Sequence, residues 1–177
     1  SHTVNQYAAE LVSQLNDLRQ GKYIEDLIDS SPIDLCVGVG GYPEKHVESP
    51  NINLDLKYLK QKVDAGADYI VTQMYFDNAD FFKFVDGCRA IGIEVPIIPG
   101  LKVIRSAKQL ASLPKNFHIS IPDQLVDELQ ENPKHGEEIG VRWAVRQCRE
   151  LLDRGAKCLH FYVMNDADQV IKTIEGL

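Results

Sequence analysis

The chain has 177 residues, of which 44% are hydrophobic and 25% are charged, and its formal net charge is −7 with a pI near 5.2. These values are typical of a soluble globular protein that is large enough to bury a core, and we expect a single domain. Nucleic acids and anionic membranes bind clustered Lys and Arg, so the acidic balance argues against both as partners.

The cysteines and the apolar runs indicate the compartment. Cys36, Cys88, Cys148 and Cys158 have no CxxC spacing, and three of them fall in predicted strands or on the core faces of helices. We expect buried, reduced, structural thiols, with no metal site, as in a cytoplasmic protein. No apolar run has the length of a transmembrane helix, and the start has no apolar signal segment.

The first third of the chain predicts a helix, a strand and a second helix. Apolar residues recur at intervals of three and four up to Gly21: Val4, Tyr7, Ala8, Leu11, Val12, Leu15 and Leu18. Residues 33–39 predict a short strand that enters the turn-rich segment 38–46, the first candidate loop for chemistry. A second helix begins at Asp55, and Leu56, Leu59 and Val63 form its inner face.

Residues 64–77 predict the central joint of the fold. Gly66 stands where the end of a helix needs a left-handed residue, and the β-branched and aromatic residues 69–72 predict a buried strand. Polar and aromatic side chains then follow the strand, from Gln73 to Asp77. In parallel α/β folds, ligands bind at this carboxyl edge of the sheet.

The remaining elements continue the alternation. A helix from about residue 78 to Gly92 has Phe81, Phe82, Val85 and Cys88 inward, and the strand 95–98 is closed by residues 99–102. A short helix over 106–113, a weaker strand over 117–121, and a helix with a solvated loop over 123–138 come next. The last elements are a helix with Val141, Val145, Cys148 and Leu152 inward, a strand over 158–163, and a helix through Ile174.

A weak internal repeat indicates a parallel sheet. Asp64-Ala-Gly-Ala-Asp-Tyr-Ile and Asp153-Arg-Gly-Ala-Lys-Cys-Leu form the same helix-to-strand joint, and Ala90-Ile-Gly-Ile is a looser copy. Repeated βα units give a parallel sheet, here of about five strands. A complete (β/α)8 barrel typically needs about 250 residues. Spacing alone therefore favours an open doubly wound sheet.

Five motifs carry a family resemblance. They are Gly40-Gly-Tyr-Pro-Glu-Lys-His46, Leu59-Lys-Gln-Lys-Val-Asp-Ala-Gly-Ala-Asp68, Thr72-Gln-Met-Tyr-Phe-Asp77, Pro96-Ile-Ile-Pro-Gly100 and His160-Phe-Tyr-Val-Met-Asn165. In order and spacing they resemble the methylenetetrahydrofolate reductase family from roughly Tyr7 to the end. The resemblance implies a parallel (β/α)8 TIM-type barrel, of which this chain is the C-terminal portion.

The resemblance also implies an activity. The family reduces 5,10-methylenetetrahydrofolate to 5-methyltetrahydrofolate with NADH or NADPH through FAD, in one-carbon metabolism and methionine biosynthesis. Its general acid, a Glu on the first barrel strand, and an Asp on the fourth-strand loop have no counterpart here. We therefore expect no catalytic residue in this chain and an inactive fragment. The open edges of a partial barrel lead us to expect a homo-oligomer.

Matching residue by residue, the resemblance implies two sets of site residues. The cofactor set is Gly40, Tyr42, His46, Asp55, Tyr58, Lys62, Val71 and Tyr162. The substrate set is Gln73, Gln109, Leu113 and Met164. Gly40 and Gly41 would allow close backbone approach, and Lys62 would meet a phosphate. Gln73 would bind the pterin ring, because an amide both donates and accepts.

Two positions depart from the family pattern. Leu113 stands where some members carry a stacking Phe, which counts against a stacking role here. Asp166 stands where the family usually has Arg, and the reversed charge counts against binding of the folate tail.

Other interpretations of the same residues stay open. Without the resemblance, His46 is a solvated turn residue, His160 is a core histidine, and Gln73 is as easily a strand-end cap as a ligand contact. The Gly38-Val-Gly-Gly segment fails the dinucleotide fingerprint, because Pro43 stands at the third glycine. The alternative functions are a flavin- or nucleotide-binding α/β module without turnover, and a truncated scaffold that dimerises.

Overall fold

The computed structural model describes residues 5–25, 27–164 and 166–177. The elements, in chain order, are α1 (Ala8–Arg19), β1 (Gly38–Gly41), α2 (Ile52–Asp64), β2 (Tyr69–Met74), α3 (Asn78–Ala90), β3 (Ile97–Leu101), α4 (Gln109–Phe117), α5 (Asp123–Glu131), a 3-10 turn (Pro133–His135), α6 (Gly136–Asp153), β4 (His160–Phe161) and α7 (Asp168–Glu175). Val4, predicted to begin the first helix, lies outside the described residues.

The four strands form one parallel sheet in the order β1-β2-β3-β4. Each strand therefore neighbours the next strand along the chain, and right-handed connections place the helices on one face. A doubly wound sheet reverses its strand order at a switch point, and this sheet does not. The architecture is a partial TIM-type barrel, as the resemblance implied, and not the open sheet that spacing alone favoured.

Two strand predictions, 33–39 and 117–121, need correction. Residues 33–37 are not in a strand, because the carbonyl of Leu35 is taken by the Arg19 side chain rather than by a ladder partner. Strand β1 begins at Gly38, inside the segment predicted to be irregular. Residues 117–121 also form no strand: Phe117 ends α4, His118 adopts a left-handed φ of 54°, and Ile119 packs in the core as a single apolar anchor.

The strands at the far edge are also displaced. β3 runs through Pro99 and Gly100 to Leu101, although these residues were predicted to close it, and β4 is only two residues long. Because residues 117–121 form no strand, the sheet has four strands within the described residues rather than about five.

The inner face of α6 differs from its predicted stripe. Leu152 is exposed, whereas Trp143 and Gln147 are buried. Both inward side chains have hydrogen-bond partners in the β2–α3 segment: Trp143 Nε1 donates to the carbonyl of Phe76 at 3.0 Å, and Gln147 Nε2 donates to the carbonyl of Tyr75 at 3.4 Å. These hydrogen bonds set the rotation of α6 about its axis, and hydrophobic periodicity cannot predict them.

The cysteine prediction is half correct. Cys88 and Cys148 are buried, and burial raises their thiol pKa values to about 12 and about 11. Cys36 and Cys158 are exposed free thiols instead, because the residues around them are not in strands. His160 is also exposed and is not a core histidine. Among the described helices, none is both long and apolar enough to cross a membrane.

Arg19 joins the end of α1 to the turn before β2. Its guanidinium donates to the carbonyls of Leu35 and Gly66 and pairs with the Asp68 carboxylate, which also accepts from the backbone N–H of Val37 at 2.7 Å. The Val37 bond and then the Arg19 bond lower the pKa of Asp68. The charged pair thereby fixes the entry of the chain into β1.

We predict that Asp68→Asn reduces the acid sensitivity of the fold. Because the folded pKa of Asp68 lies below its ordinary value of 3.8, its contribution is present above about pH 4 and is lost as pH falls through the folded pKa. The side chain is 41% exposed, so we expect a loss of only about 1 kcal/mol at pH 7. Unfolding free energies between pH 7 and 2.5 test this, with Asp64→Asn as control. Parallel curves for Asp68→Asn and the unchanged protein would contradict it.

A second constraint is the close approach of α6 to the segment after β3. A Cβ atom on Gly140 would lie 1.7 Å from the backbone oxygen of Ile104. A Cβ atom on Gly87, in α3, would meet only the end of the Leu56 side chain, at 3.0 Å.

We therefore predict opposite outcomes for alanine at these two helical glycines. Gly140→Ala should lower the free energy of unfolding by about 2 kcal/mol or more, because a backbone oxygen cannot move aside. Gly87→Ala should be neutral or stabilising by up to about 1 kcal/mol, because helix propensity improves and a methyl group can rotate. Urea unfolding followed by the fluorescence of Trp143, the single tryptophan, measures both. Equal stabilities would argue against the close contact.

Candidate functional site

A groove of about 610 Å³ lies between the start of α1, the loop after β1 and α2. Five residues of the predicted cofactor set line it: Tyr42, His46, Asp55, Tyr58 and Lys62. The resemblance implied these residues from two separate parts of the chain, and the structure brings them to one cavity.

Helix α2 supplies three of these side chains from one face. Asn51 caps the helix by accepting from the N–H of Leu54 at 2.9 Å. Asp55, Tyr58 and Lys62 then follow at intervals of three and four residues, which places them on a common stripe. The core residues Leu56 and Leu59 form the neighbouring stripe.

Asp55 organises the loop after β1. Its carboxylate accepts from the N–H of His46 at 3.0 Å and from the Ser49 hydroxyl at 2.9 Å. The rings of Tyr42 and His46 meet edge to face at 4.5 Å. His46 is therefore held in the groove wall rather than in a free turn. Burial, and then the charges of Asp55 and Glu48, raise the pKa of Tyr42.

Lys62 is the cation of this groove. Its Nζ donates to the carbonyl of Gly40 at 2.8 Å. Burial lowers the pKa of Lys62, and Asp55 acts in the opposite direction. Glu10 and Glu48 also line the cavity, but the Glu10 carboxylate accepts from the N–H of Gln6 at 2.7 Å. An anion entering the groove would therefore have to bind at Lys62.

Gly40 and Gly41, the last two residues of β1, differ in their surroundings. Gly40 is exposed, and a Cβ atom there would meet only the Tyr42 hydroxyl at 3.8 Å. Gly41 is buried, and a Cβ atom there would lie 2.8 Å from Ile70 and Phe84. Gly40 is thus open to a ligand, whereas Gly41 serves core packing. Val71 pairs with Gly40 in register and is half-buried.

Gln73 lies outside this groove. It borders a crevice of only about 10 Å³ between the β1 loop and the segment after α4, where Tyr42 is a shared wall. The Gln73 Oε1 accepts from the N–H of Met74 at 2.9 Å, which leaves Nε2 for a ligand. The carboxylate of Glu44 closes the same crevice by accepting from the N–H of Ser120 at 3.0 and 2.8 Å.

A second groove, of about 220 Å³, follows the ends of β3 and β4. Three predicted residues line it: Tyr162 of the cofactor set, and Gln109 and Met164 of the substrate set. The Tyr162 hydroxyl donates to the carbonyl of Thr72 at 2.8 Å, which fixes the ring against the sheet. Burial, and then Tyr42, raise the pKa of Tyr162. Met164 is 87% exposed and is free to contact a ligand.

Leu113 does not join either groove. It is 5% exposed and packs in the cluster that contains Met74, Ile104 and Trp143. Leu113 is a core residue of α4, so the predicted substrate contact is not supported. The apolar periodicity of α4 is as consistent with a core position for Leu113 as with a substrate contact.

Several groove residues were not anticipated from the sequence. Tyr7 and Ala8, at the start of α1, line the first groove, and Lys102 and Arg105, just after β3, line the second. The rule that ligands bind beyond the carboxyl ends of parallel strands could have identified Lys102 and Arg105. No local signal distinguishes Tyr7 from an ordinary helix residue.

Consecutive parallel strands with grooves beyond their carboxyl ends define the TIM-barrel class. A sequence model of methylenetetrahydrofolate reductase matches residues 2–177, and the chain belongs to the methylenetetrahydrofolate reductase family. The resemblance in the motifs is thereby confirmed.

The chain is similar to curated relatives over most of its own length. Methylenetetrahydrofolate reductase 2 of Saccharomyces cerevisiae is 38% identical, covering 97% of this chain and 28% of the relative. Methylenetetrahydrofolate reductase (NADH) 1 of Arabidopsis thaliana is 37% identical, covering 73% and 24%. 5,10-methylenetetrahydrofolate reductase of Pectobacterium carotovorum is 33% identical, covering 92% and 51%. The chain thus spans from a quarter to half of these proteins.

A solved structure supports the fold. A Clostridium thermocellum protein, which binds two copies of 5-methyl-5,6,7,8-tetrahydrofolic acid, superposes with a TM-score of 0.55 at 21% identity. The match covers 81% of this chain and 52% of that one.

Proposed function

We propose that the protein is a flavoprotein oxidoreductase that reduces 5,10-methylenetetrahydrofolate to 5-methyltetrahydrofolate with NADH or NADPH through FAD. The observation that carries the proposal is the convergence of Tyr42, His46, Asp55, Tyr58 and Lys62 on one groove. Tyr42, His46 and Lys62 come from the family motifs, and Asp55 and Tyr58 lie on the same helix as Lys62.

The groove fits FAD in size and in its polar groups. Its volume of about 610 Å³ lies within the usual range for cofactor sites. Lys62 would bind a phosphate, the carboxylates of Asp55 and Glu48 can accept from ribose hydroxyls, and the exposed backbone of Gly40 leaves room for close approach. When bound, FAD would supply the hydride carrier between the nicotinamide and the folate.

The second groove fits the folate side of the reaction. Gln109 provides an amide, Tyr162 provides an oriented ring, and Met164 provides an exposed apolar surface. The tetrahydrofolate bound by the structural neighbour is consistent with this assignment. Gln73 lies in the crevice bordered by Tyr42, and we assign its free Nε2 to the pterin ring.

A binding module without turnover is the second candidate. The crevice at Gln73 holds about 10 Å³, far less than a pterin ring, and its amide oxygen is already bonded to the backbone. Turnover therefore requires this crevice to open, whereas cofactor binding in the first groove does not. Measuring binding and the two half-reactions separately distinguishes the candidates.

We predict that Lys62→Met in the full-length protein weakens FAD binding by about tenfold or more, because a charge-assisted hydrogen bond to a phosphate contributes about 1.5–3 kcal/mol. Lys57→Met is the matched control, since Lys57 is exposed on the same helix and lies outside the groove. Titration of FAD fluorescence measures both dissociation constants. Equal affinities for the two variants, or no binding to the unchanged protein, would count against the proposed cofactor site.

The second prediction separates the two half-reactions. In the full-length protein, Gln73→Glu should slow the oxidation of reduced flavin by methylenetetrahydrofolate by about tenfold or more, because a carboxylate cannot donate to the ring carbonyl. Reduction of the flavin by NADH or NADPH should change little. Stopped-flow absorbance at the flavin band measures both rates, with Gln130→Glu on the exposed face of α5 as control. Equal slowing of both halves would indicate general damage to the strand end.

A further inference from the structure

The second groove carries a local excess of positive charge on an acidic protein. Lys102 and Arg105 both line it, and Asp166 is the one carboxylate among its described lining residues. The whole chain has a net charge of −7, so this surface differs from the average in sign. Both cations lie on the segment between β3 and α4, at the carboxyl edge of the sheet.

Arg105 is held by groups that orient it toward this groove. Its backbone N–H donates to Gln109 Oε1 at 2.6 Å, and its Nη2 donates to Asp166 Oδ2 at 2.7 Å. Asp166 is fixed in turn, because its Oδ1 accepts from the N–H of Asp168 at 2.9 Å. The Arg105 side chain is 44% exposed, and its guanidinium has further N–H donors beside the one that binds Asp166.

Lys102 lacks a carboxylate partner. Its Nζ donates to the carbonyl of Tyr162 at 2.9 Å, and none of the ion pairs among the described residues includes it. Burial, and then the like charge of Arg105, lower the pKa of Lys102. An anion placed between the two side chains would remove this repulsion.

We propose that Lys102 and Arg105 form a subsite for the carboxylate-bearing end of the substrate, and that Asp166 occupies Arg105 as an internal competitor. The inference rests on the proposed function and extends it. Tetrahydrofolates carry glutamate carboxylates on an arm attached to the pterin, and Arg binds a carboxylate through two parallel hydrogen bonds. The Asp166 carboxylate makes one of these bonds, so the substrate must exchange with it.

The competition gives the subsite an unusual dependence on charge. Removal of either cation should weaken the binding of a ligand that has the acidic arm. Removal of the Asp166 charge should have the opposite effect, because the guanidinium would then be available without exchange. A purely structural ion pair predicts that Asp166→Asn and Arg105→Gln change binding in the same direction.

The experiment compares two ligands on four proteins. Isothermal titration gives the affinities of 5-methyltetrahydrofolate, which has the arm, and of 6-methyltetrahydropterin, which lacks it. We expect Arg105→Gln and Lys102→Met each to weaken the first ligand by about tenfold and to leave the second unchanged. Asp166→Asn should tighten the first ligand by about threefold, again without effect on the second. The unchanged protein should lose selectivity for the first ligand as salt concentration rises.

Two results would overturn the subsite alone. One is an equal loss for both ligands in Arg105→Gln, and the other is weaker binding of 5-methyltetrahydrofolate by Asp166→Asn. If the unchanged protein binds neither ligand, the proposed function itself fails, and the subsite fails with it. If it binds both ligands equally at low salt, the function stands and the subsite is excluded.

Discussion

Thr72 joins three strands at the edge where both grooves lie. Its side chain is fully buried, its hydroxyl accepts from the N–H of Gly100 at 2.8 Å, and its carbonyl accepts from the Tyr162 hydroxyl at 2.8 Å. The β2–β3 register shifts between Val71 and Met74, so the threonine hydroxyl replaces a ladder bond at this point. A side chain on Gly100 would lie 2.1 Å from the Thr72 oxygen. The strand ends are therefore held at a fixed spacing, on which the positions of Gln73 and Tyr162 depend.

The two grooves differ in how their electrostatics arise. In the first, the Asp55 carboxylate is hydrogen-bonded to the loop after β1, where it accepts from His46 and Ser49. Lys62 is the cation that can bind a ligand there. In the second, Lys102 and Arg105 outnumber Asp166. Tyr42 lines the first groove and Tyr162 lines the second, and burial raises the pKa of both phenols. An anionic ligand would therefore meet one lysine, Lys62, in the first groove and two cations, Lys102 and Arg105, in the second.

Much of the fold could be predicted because its signals are local. The period of α2, the positive φ of Gly66 and the β-branched run of β2 each depend on neighbouring residues, and all were correct in kind. The errors arose where a distant group decides the outcome. Arg19 removes residues 33–37 from the sheet, and hydrogen bonds to the β2–α3 segment turn polar residues of α6 inward.

The candidate site shows the same division. Five residues of the predicted cofactor set were assigned by resemblance, and they line one groove. Leu113 packs in the core and lines neither groove, and an apolar residue on a short helix gives no local sign of whether it faces the core or a ligand. The Arg105–Asp166 pair joins residues 61 positions apart, which no spacing rule would connect.

Helix α2 carries a further consequence for how this family can diverge. The stripe that lines the first groove and the stripe that packs the core lie side by side on one short helix, with a common starting point at the Asn51 cap. One inserted or deleted residue after the cap would rotate both stripes by about 100° at once. Side chains in the groove can therefore vary by substitution, whereas the length of the helix cannot change without loss of the core. Variation on the α2 wall of the groove is thus limited to point replacements, and the loop before Asn51 is tied to the same helix because Asp55 accepts from His46 and Ser49.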